Sequence, residues 1–290
     1  MTIVVPSSAG APSDIIARHL AQSMAAQSRG TFVTDSRPGA NGILGVRAVL
    51  SAPADGHTLL FTTMSPMVLN RYLVRTLPYD AQADFVPIGL MARSTMWLSV
   101  PRASRFQSAQ ELIDFAKREP SRLNYGYATA VPQLAASMLE QLTGARVTLV
   151  SYRAHTAMVT ALVTGELDVS ITDTASLAPF VESGQARPLA STAPARLPQY
   201  PNIPTFRELG VEYDLVAWHG VFVRRGTPPE VVARLTELLA AAARAPELRA
   251  YLSANALDDY FVNGPDAAQQ VEADVERWGR VTRDAGVVPN

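Results

Sequence analysis

The chain has 290 residues, 48% of them hydrophobic and 18% charged, with a formal net charge of −1. That length suits two compact domains and that apolar share fills their cores, which excludes intrinsic disorder. Near-neutral charge without a basic stripe offers nothing to a phosphate backbone, and zero cysteines exclude disulfides, thiolate nucleophiles and Cys-based zinc sites.

The chain opens on Met1-Thr2-Ile3-Val4-Val5-Pro6, a strand pattern without the basic start and cleavage site of a secretory leader. Asp14 to Met24 places Ile16, Leu20 and Met24 at helical spacing. Thr31–Thr34 reads as extended, Ile43–Ser51 as helical and His57–Thr62 as extended. This alternation predicts parallel strands with helices on their faces. Phe85 to Val100 is a long, mostly apolar stretch, read as strand-rich and as a crossing between domains.

A second alternation follows Pro101. Ser108–Arg118 is a helix with Ser108 and Glu111 in capping-box spacing. Leu123–Tyr125, Val147–Ser151, Leu167–Thr172 and Pro188–Ser191 read as strands. Val131–Leu142, Met158–Val163 and Thr174–Ser183 read as the helices between them. Leu215–Arg224 is extended. Thr227-Pro228-Pro229-Glu230 starts a helix that runs to about Ala243, and another follows Pro265 past Trp278. No apolar run reaches the roughly 20 residues of a membrane-spanning helix.

Four motifs bear on function. Pro6-Ser7-Ser8-Ala9-Gly10-Ala11-Pro12-Ser13-Asp14 lies where a strand gives way to a helix. There small residues let amides approach an anion and the helix start adds partial positive charge; Ser13 or Asp14 as a simple helix cap is the competing reading. Pro38-Gly39-Ala40-Asn41-Gly42-Ile43-Leu44-Gly45 spaces its glycines as G-x-x-G-x-x-G, not as the dinucleotide fingerprint, so it reads as turn structure. Asp168 and Asp173 flank a strand; Asp173, at its carboxyl end, is the better site candidate. Trp218-His219-Gly220 reads as core strand rather than as a ligand stacker. Hydrolase signatures are missing: no G-x-S-x-G elbow, no H-E-x-x-H, and no serine three residues before Lys117, the sole lysine.

Taken together, several segments resemble the Bordetella uptake gene family, the solute receptors of tripartite tricarboxylate transporters. Val4-Val5-Pro6 through Ala9-Gly10 to Asp14 and Ala17-Arg18 is similar to that family's opening. Arg37–Gly45 and Ala52–Leu60 continue the likeness. So do Tyr79-Asp80, Asp84–Ile88, Tyr152-Arg153, Gly165–Asp168 with Asp173, Pro201–Phe206, Trp218–Gly220 and Arg277–Gly279.

The resemblance implies a type II periplasmic-binding-protein fold: two α/β lobes with a ligand cleft between them, residues 1–100 plus 225–290 forming lobe 1 and 101–224 lobe 2. It implies a non-enzymatic receptor, without cofactor or metal, that closes on a small organic carboxylate (dicarboxylate, amino-acid or aromatic acid). It would act as a monomer in the periplasm and deliver its ligand to the membrane subunits of a tripartite tricarboxylate transporter, its leader removed or replaced by Met1. Carried over by position, Ser7, Ser8, Ala9, Gly10, Ala11, Ser13 and Asp14 form the first ligand loop, with Thr63 and Ser65 beside it and Asn70 behind. Ala128, Thr129, Ala130, Val131 and Gln133 form the opposing loop, and Tyr152, Arg153 and Asp173 complete the wall. The chain departs from the family where an aromatic of the first loop is replaced by Ser7 and Ser8, and where Gln133 stands in place of a histidine. The rival readings are a two-lobe α/β hydrolase built on His155 or His219 with a nearby serine, and a cytosolic carboxylate sensor.

Overall fold

A computed structural model describes residues 1–28, 30–213, 215–255 and 257–284. In chain order the elements are β1 (Thr2–Val5), α1 (Pro12–Ser28), β2 (Val33–Ser36), α2 (Ile43–Leu50), β3 (Thr58–Thr63), a wide helical turn Ser65–Leu69, α3 (Asn70–Leu73), α4 (Ala81–Asp84) and β4 (Phe85–Ser94). They continue as β5 (Met96–Pro101), α5 (Ala109–Arg118), β6 (Asn124–Tyr127), α6 (Ala130–Thr143), β7 (Thr148–Ser151), α7 (His155–Thr164), β8 (Ser170–Asp173), α8 (Thr174–Glu182) and β9 (Ala186–Ser191). The tail holds β10 (Ala217–Arg224), α9 (Pro229–Ala243), α10 (Pro246–Ala254), β11 (Leu257–Asn263) and α11 (Gly264–Asp284). No helix among the described residues is long and apolar enough to cross a membrane.

The chain divides into two compact units. The first is Met1–Arg93 with Trp218–Ala254 and Asp258–Asn290; the second is Ser94–Ala217 with Asn255–Leu257. The sequence placed the crossings at 100/101 and 224/225, but hydrogen bonding moves both earlier. β5 pairs with β8 and β9, so it belongs to the second unit. β10 pairs antiparallel with β3, His219 facing Thr63 and Val223 facing Leu59, so its residues from Trp218 onward belong to the first. Residues 285–290 of the expected first lobe lie outside the described residues.

In the first unit six strands run in the order β11-β4-β10-β3-β1-β2. β1 lies parallel between β2 and β3, so its carboxyl end and that of β3 share one edge, where loops of open α/β sheets collect ligands. Ile16, Ala17, Leu20, Ala21 and Met24 of α1 are all buried, the single stripe that the helical period dictates. Each large apolar side chain buried this way contributes about 1.5–3 kcal/mol before the entropic cost of ordering the chain. Phe61, Phe85, Phe222 and Trp278 fill the rest of that core.

In the second unit β8-β5-β9 form an antiparallel sheet and β6-β7 a parallel pair. A parallel bridge from Tyr125 to Val169 links β6 to the run entering β8. Its core packs Trp97, Met158, Leu162, Leu167 and Leu177, with Trp97 edge-on to Tyr200 at 4.7 Å. Ser108 caps α5 as its spacing predicts, accepting from the Glu111 amide at 3.2 Å. Glu111 reaches back to the Gln107 amide at 2.8 Å, one residue before the usual capping-box partner.

Candidate functional site

In the first unit the turn between β1 and α1 is held from within. Asp14, 1% exposed, accepts the Gly10 amide at 2.9 Å, Ser36 Oγ at 2.6 Å and Arg18 Nε at 2.9 Å. Burial pushes its carboxyl up, yet the bonds from Arg18, Ser36 and Gly10 outweigh that and hold it below the ordinary range. Ala11, also buried, donates its amide to Ser8 O at 3.1 Å. The turn therefore keeps its shape without a ligand. The amides of Ser7, Ser8 and Ala9 make no hydrogen bond among the described residues, and Ser7 Oγ is buried without a partner.

The resemblance implies Asp14 and Gly10 as ligand groups. The structure gives the Asp14 carboxylate and the Gly10 amide to each other, and Asp14 is a brace. Ser13 bonds His219, Oγ to Nε2 at 3.1 Å, and His219 stacks on Phe61. His219 is 5% exposed and lies opposite Thr63 in the ladder, so Ser13, His219 and Thr63 meet at the carboxyl edge of the sheet. The strand reading of Trp218-His219-Gly220 was correct, but it left out the contact with Ser13. Only the pairing of β10 with β3, which is nonlocal, brings that contact about.

The glycine motif is a buttress for this turn. Gly42 has φ +85°, and a Cβ there would meet Pro66 Cγ at 2.8 Å and Pro6 Cβ at 3.2 Å. A Cβ on Gly45 would lie 2.8 Å from Pro6 Cγ and 3.0 Å from its Cα. Ala40 and Asn41 also take positive φ, 49° and 52°, a run of strain that tertiary bonds sustain. Asn70, fully buried, donates to Asn41 O at 3.0 Å and to Tyr79 Oη at 3.1 Å; Tyr79 in turn donates to Pro66 O at 2.8 Å. Thr63 Oγ1 accepts the Ser65 amide at 3.4 Å, the loosest of these bonds.

In the second unit β6 ends at Tyr127, and α6 starts after Thr129, whose extended backbone caps the helix without a side-chain bond. Ala128 and Thr129 are half-buried; Ala130, Val131 and Gln133 are buried. Neither polar end of the Gln133 amide has a partner among the described residues. Tyr152 donates its hydroxyl to Glu166 at 2.9 Å, and burial and then Glu166 push that phenol up. Arg153 is exposed and forms no ion pair among the described residues.

Asp173 is occupied. It caps α8, accepting the Ser176 amide at 2.8 Å, Ser176 Oγ at 3.0 Å and His155 Nε2 at 3.0 Å. Burial raises its pKa, but the His155 charge and bond and the Ser176 bonds bring it down to about 2. Asp173 is expected in the ligand wall; its oxygens are taken by Ser176 of its own helix and by His155 of α7. Ser176, His155 and Asp173 are a serine, a histidine and an aspartate in contact. Yet the same ring nitrogen of His155 serves both partners, Ser176 Oγ at 2.8 Å and Asp173 at 3.0 Å. A proton relay needs one nitrogen for each, so the trio cannot work as a nucleophilic triad in this arrangement. In each unit a carboxylate expected at the site is thus already bonded to its neighbours, Asp14 in the first and Asp173 in the second.

A profile of the family described as "Tripartite tricarboxylate transporter family receptor" (TctC) matches residues 16–287. A UPF0065 protein from the tcbD–tcbE intergenic region of Pseudomonas sp. strain P51 is 32% identical over 97% of this chain and 84% of its own length. Among solved structures, R. palustris Rpa4515 with adipate superposes with a TM-score of 0.95 at 31% identity, covering 100% of this chain and 98% of that one. The periplasmic binding protein BugD superposes at 0.94 with 25% identity, over 100% and 98% of the two chains. The fold is therefore the two-lobe α/β fold of periplasmic binding proteins. This chain belongs to the tripartite tricarboxylate transporter receptor family, whose members are solute receptors and not enzymes.

Proposed function

We propose, from that family membership, that the chain is an extracytoplasmic receptor that binds a small organic carboxylate at the helix-start turns of its two units and hands it to the membrane subunits of a transporter. The observation that carries this reading is the match to R. palustris Rpa4515, solved with adipate, which spans all of this chain at 31% identity. The β1–α1 turn supplies the chemistry: amides of Ser7, Ser8 and Ala9 without internal partners, on a backbone already fixed by Asp14. Such donors form charge-assisted bonds to a carboxylate with little reorganisation, which is how a desolvated anion is compensated.

On this reading the contacts are Ser7, Ser8, Ala9 and Ser13 with Thr63 and Ser65 from the first unit, and Ala128, Thr129, Ala130, Val131 and Gln133 from the second. Asp14, Gly10, Ala11 and Asp173 hold the turns in place. The protein works in the periplasm as a monomer.

Thermal-shift screening against mono-, di-, tri- and aromatic carboxylates tests the proposal. A ligand present at a hundred times its Kd stabilises the folded state by about 2.7 kcal/mol, enough to resolve. A panel in which no carboxylate raises the midpoint would reject the proposal.

A further inference from the structure

We infer that Gln133 is the specificity-determining residue of the second unit's turn, and that it selects carboxylates carrying a hydroxyl or ammonium group on the adjacent carbon. The assignment rests on the carboxylate-receptor reading and narrows it.

Gln133 is the fourth residue of α6 and is 5% exposed. Helical side chains lean toward the amino terminus, so its amide is carried back over the Thr129–Ala130 start of the helix. The Thr129 side chain does not cap that start, and Val131 within it already has a partner. The amide oxygen is buried and unbonded, and the amide nitrogen has no partner among the described residues either. Buried side-chain amides in folded proteins find partners, because an unpaired one bears its full desolvation cost. In the same unit Asp173 is satisfied by Ser176 and His155, and Tyr125 through Pro132 O and the Ile171 amide; the other unpaired buried atoms, Thr95 Oγ1, Trp97 Nε1 and Ser99 Oγ, lie in or just before β5 rather than at a helix start. The unpaired amide therefore points to a ligand.

The chemistry of that ligand follows from the amide. One end accepts and the other donates. An unsubstituted dicarboxylate is all acceptor: it would bond the nitrogen and leave the oxygen orphaned. An acid with a hydroxyl or ammonium beside its carboxylate meets both ends at once. Turning the amide over exchanges the two ends without changing the demand, since both are unpaired.

The test compares matched acids by isothermal titration: succinate with malate and aspartate, and adipate with 2-hydroxyadipate and 2-aminoadipate. In the unaltered protein the substituted member of a series binds at least about tenfold tighter than the plain one, because a plain acid strands the amide oxygen. In Gln133→Met, of similar length but apolar, the ratio falls below about threefold and the melting midpoint does not drop. A merely structural Gln133 would lower the midpoint and weaken all acids in parallel, which overturns the assignment. Equal affinity for plain and substituted acids in the unaltered protein also overturns it, whether or not the variant folds. If none of the six acids binds, this assignment fails, while the carboxylate-receptor reading is decided separately by the wider panel of mono-, tri- and aromatic acids.

Discussion

Asp14 and Asp173 show how a carboxylate at a binding edge can serve the turn instead of the ligand. Both sit where the sequence places site residues, and both are saturated by donors from their own unit. Their roles were not legible in sequence, since the partners Ser36 and His155 are 22 and 18 residues away, respectively, and arrive only through folding. Asp14→Ala leaves the Gly10 amide, the Ser36 hydroxyl and Arg18 without their acceptor. It should cost about 2–4 kcal/mol in denaturant unfolding and weaken ligand binding together. Asp173 gives a pH signature. Its folded pKa of about 2 lies below its ordinary 3.8, so it contributes stability above pH 4 that is lost as pH falls toward 2. That contribution is on the order of 2 kcal/mol. Asp173→Asn should therefore be less stable than the parent at pH 5, with the gap closing by pH 2; a gap independent of pH refutes the assignment.

At the scale of elements, the segment from Pro38 to Gly45 acts as a jig for the ligand turn. Gly45→Ala would drive a methyl into the backbone of Pro6, displacing the neighbouring Ser7 and Ser8. The expected cost is about 1–3 kcal/mol with a parallel loss of carboxylate affinity, measured by unfolding and titration. Ala40, exposed at φ 49°, behaves oppositely: Ala40→Gly relieves a left-handed residue and should raise stability by roughly 0.5–1 kcal/mol without touching affinity. The sequence favours a turn over a nucleotide site here, because the glycine spacing departs from the dinucleotide fingerprint. It could not show which proline the glycines accommodate. The elements not anticipated include α3, α4, α10 and β11. α10 has only nine residues, and β11 reads Leu257-Asp258-Asp259-Tyr260, acidic where a strand pattern expects alternation. β11 is an edge strand beside β4, and edge strands tolerate charge that central ones do not.

For the molecule as a whole, the two alternations of strand and helix were readable because hydrophobic period is local. The crossings were not, since membership of a unit depends on which strands pair. β5 and β10 look alike in sequence, both mostly apolar, yet one serves the second sheet and the other the first. A fold alone does not fix a function, so the hydrolase alternative is judged at the site. Here His155 spends one nitrogen on both its partners. The most direct test is calorimetric titration of the purified protein with small carboxylates, followed by recovery of the ligand. The account predicts one site per chain, micromolar affinity or tighter for at least one acid, and ligand recovered chemically unchanged. No saturable binding by any carboxylate, or conversion of the bound acid to a product, would contradict it.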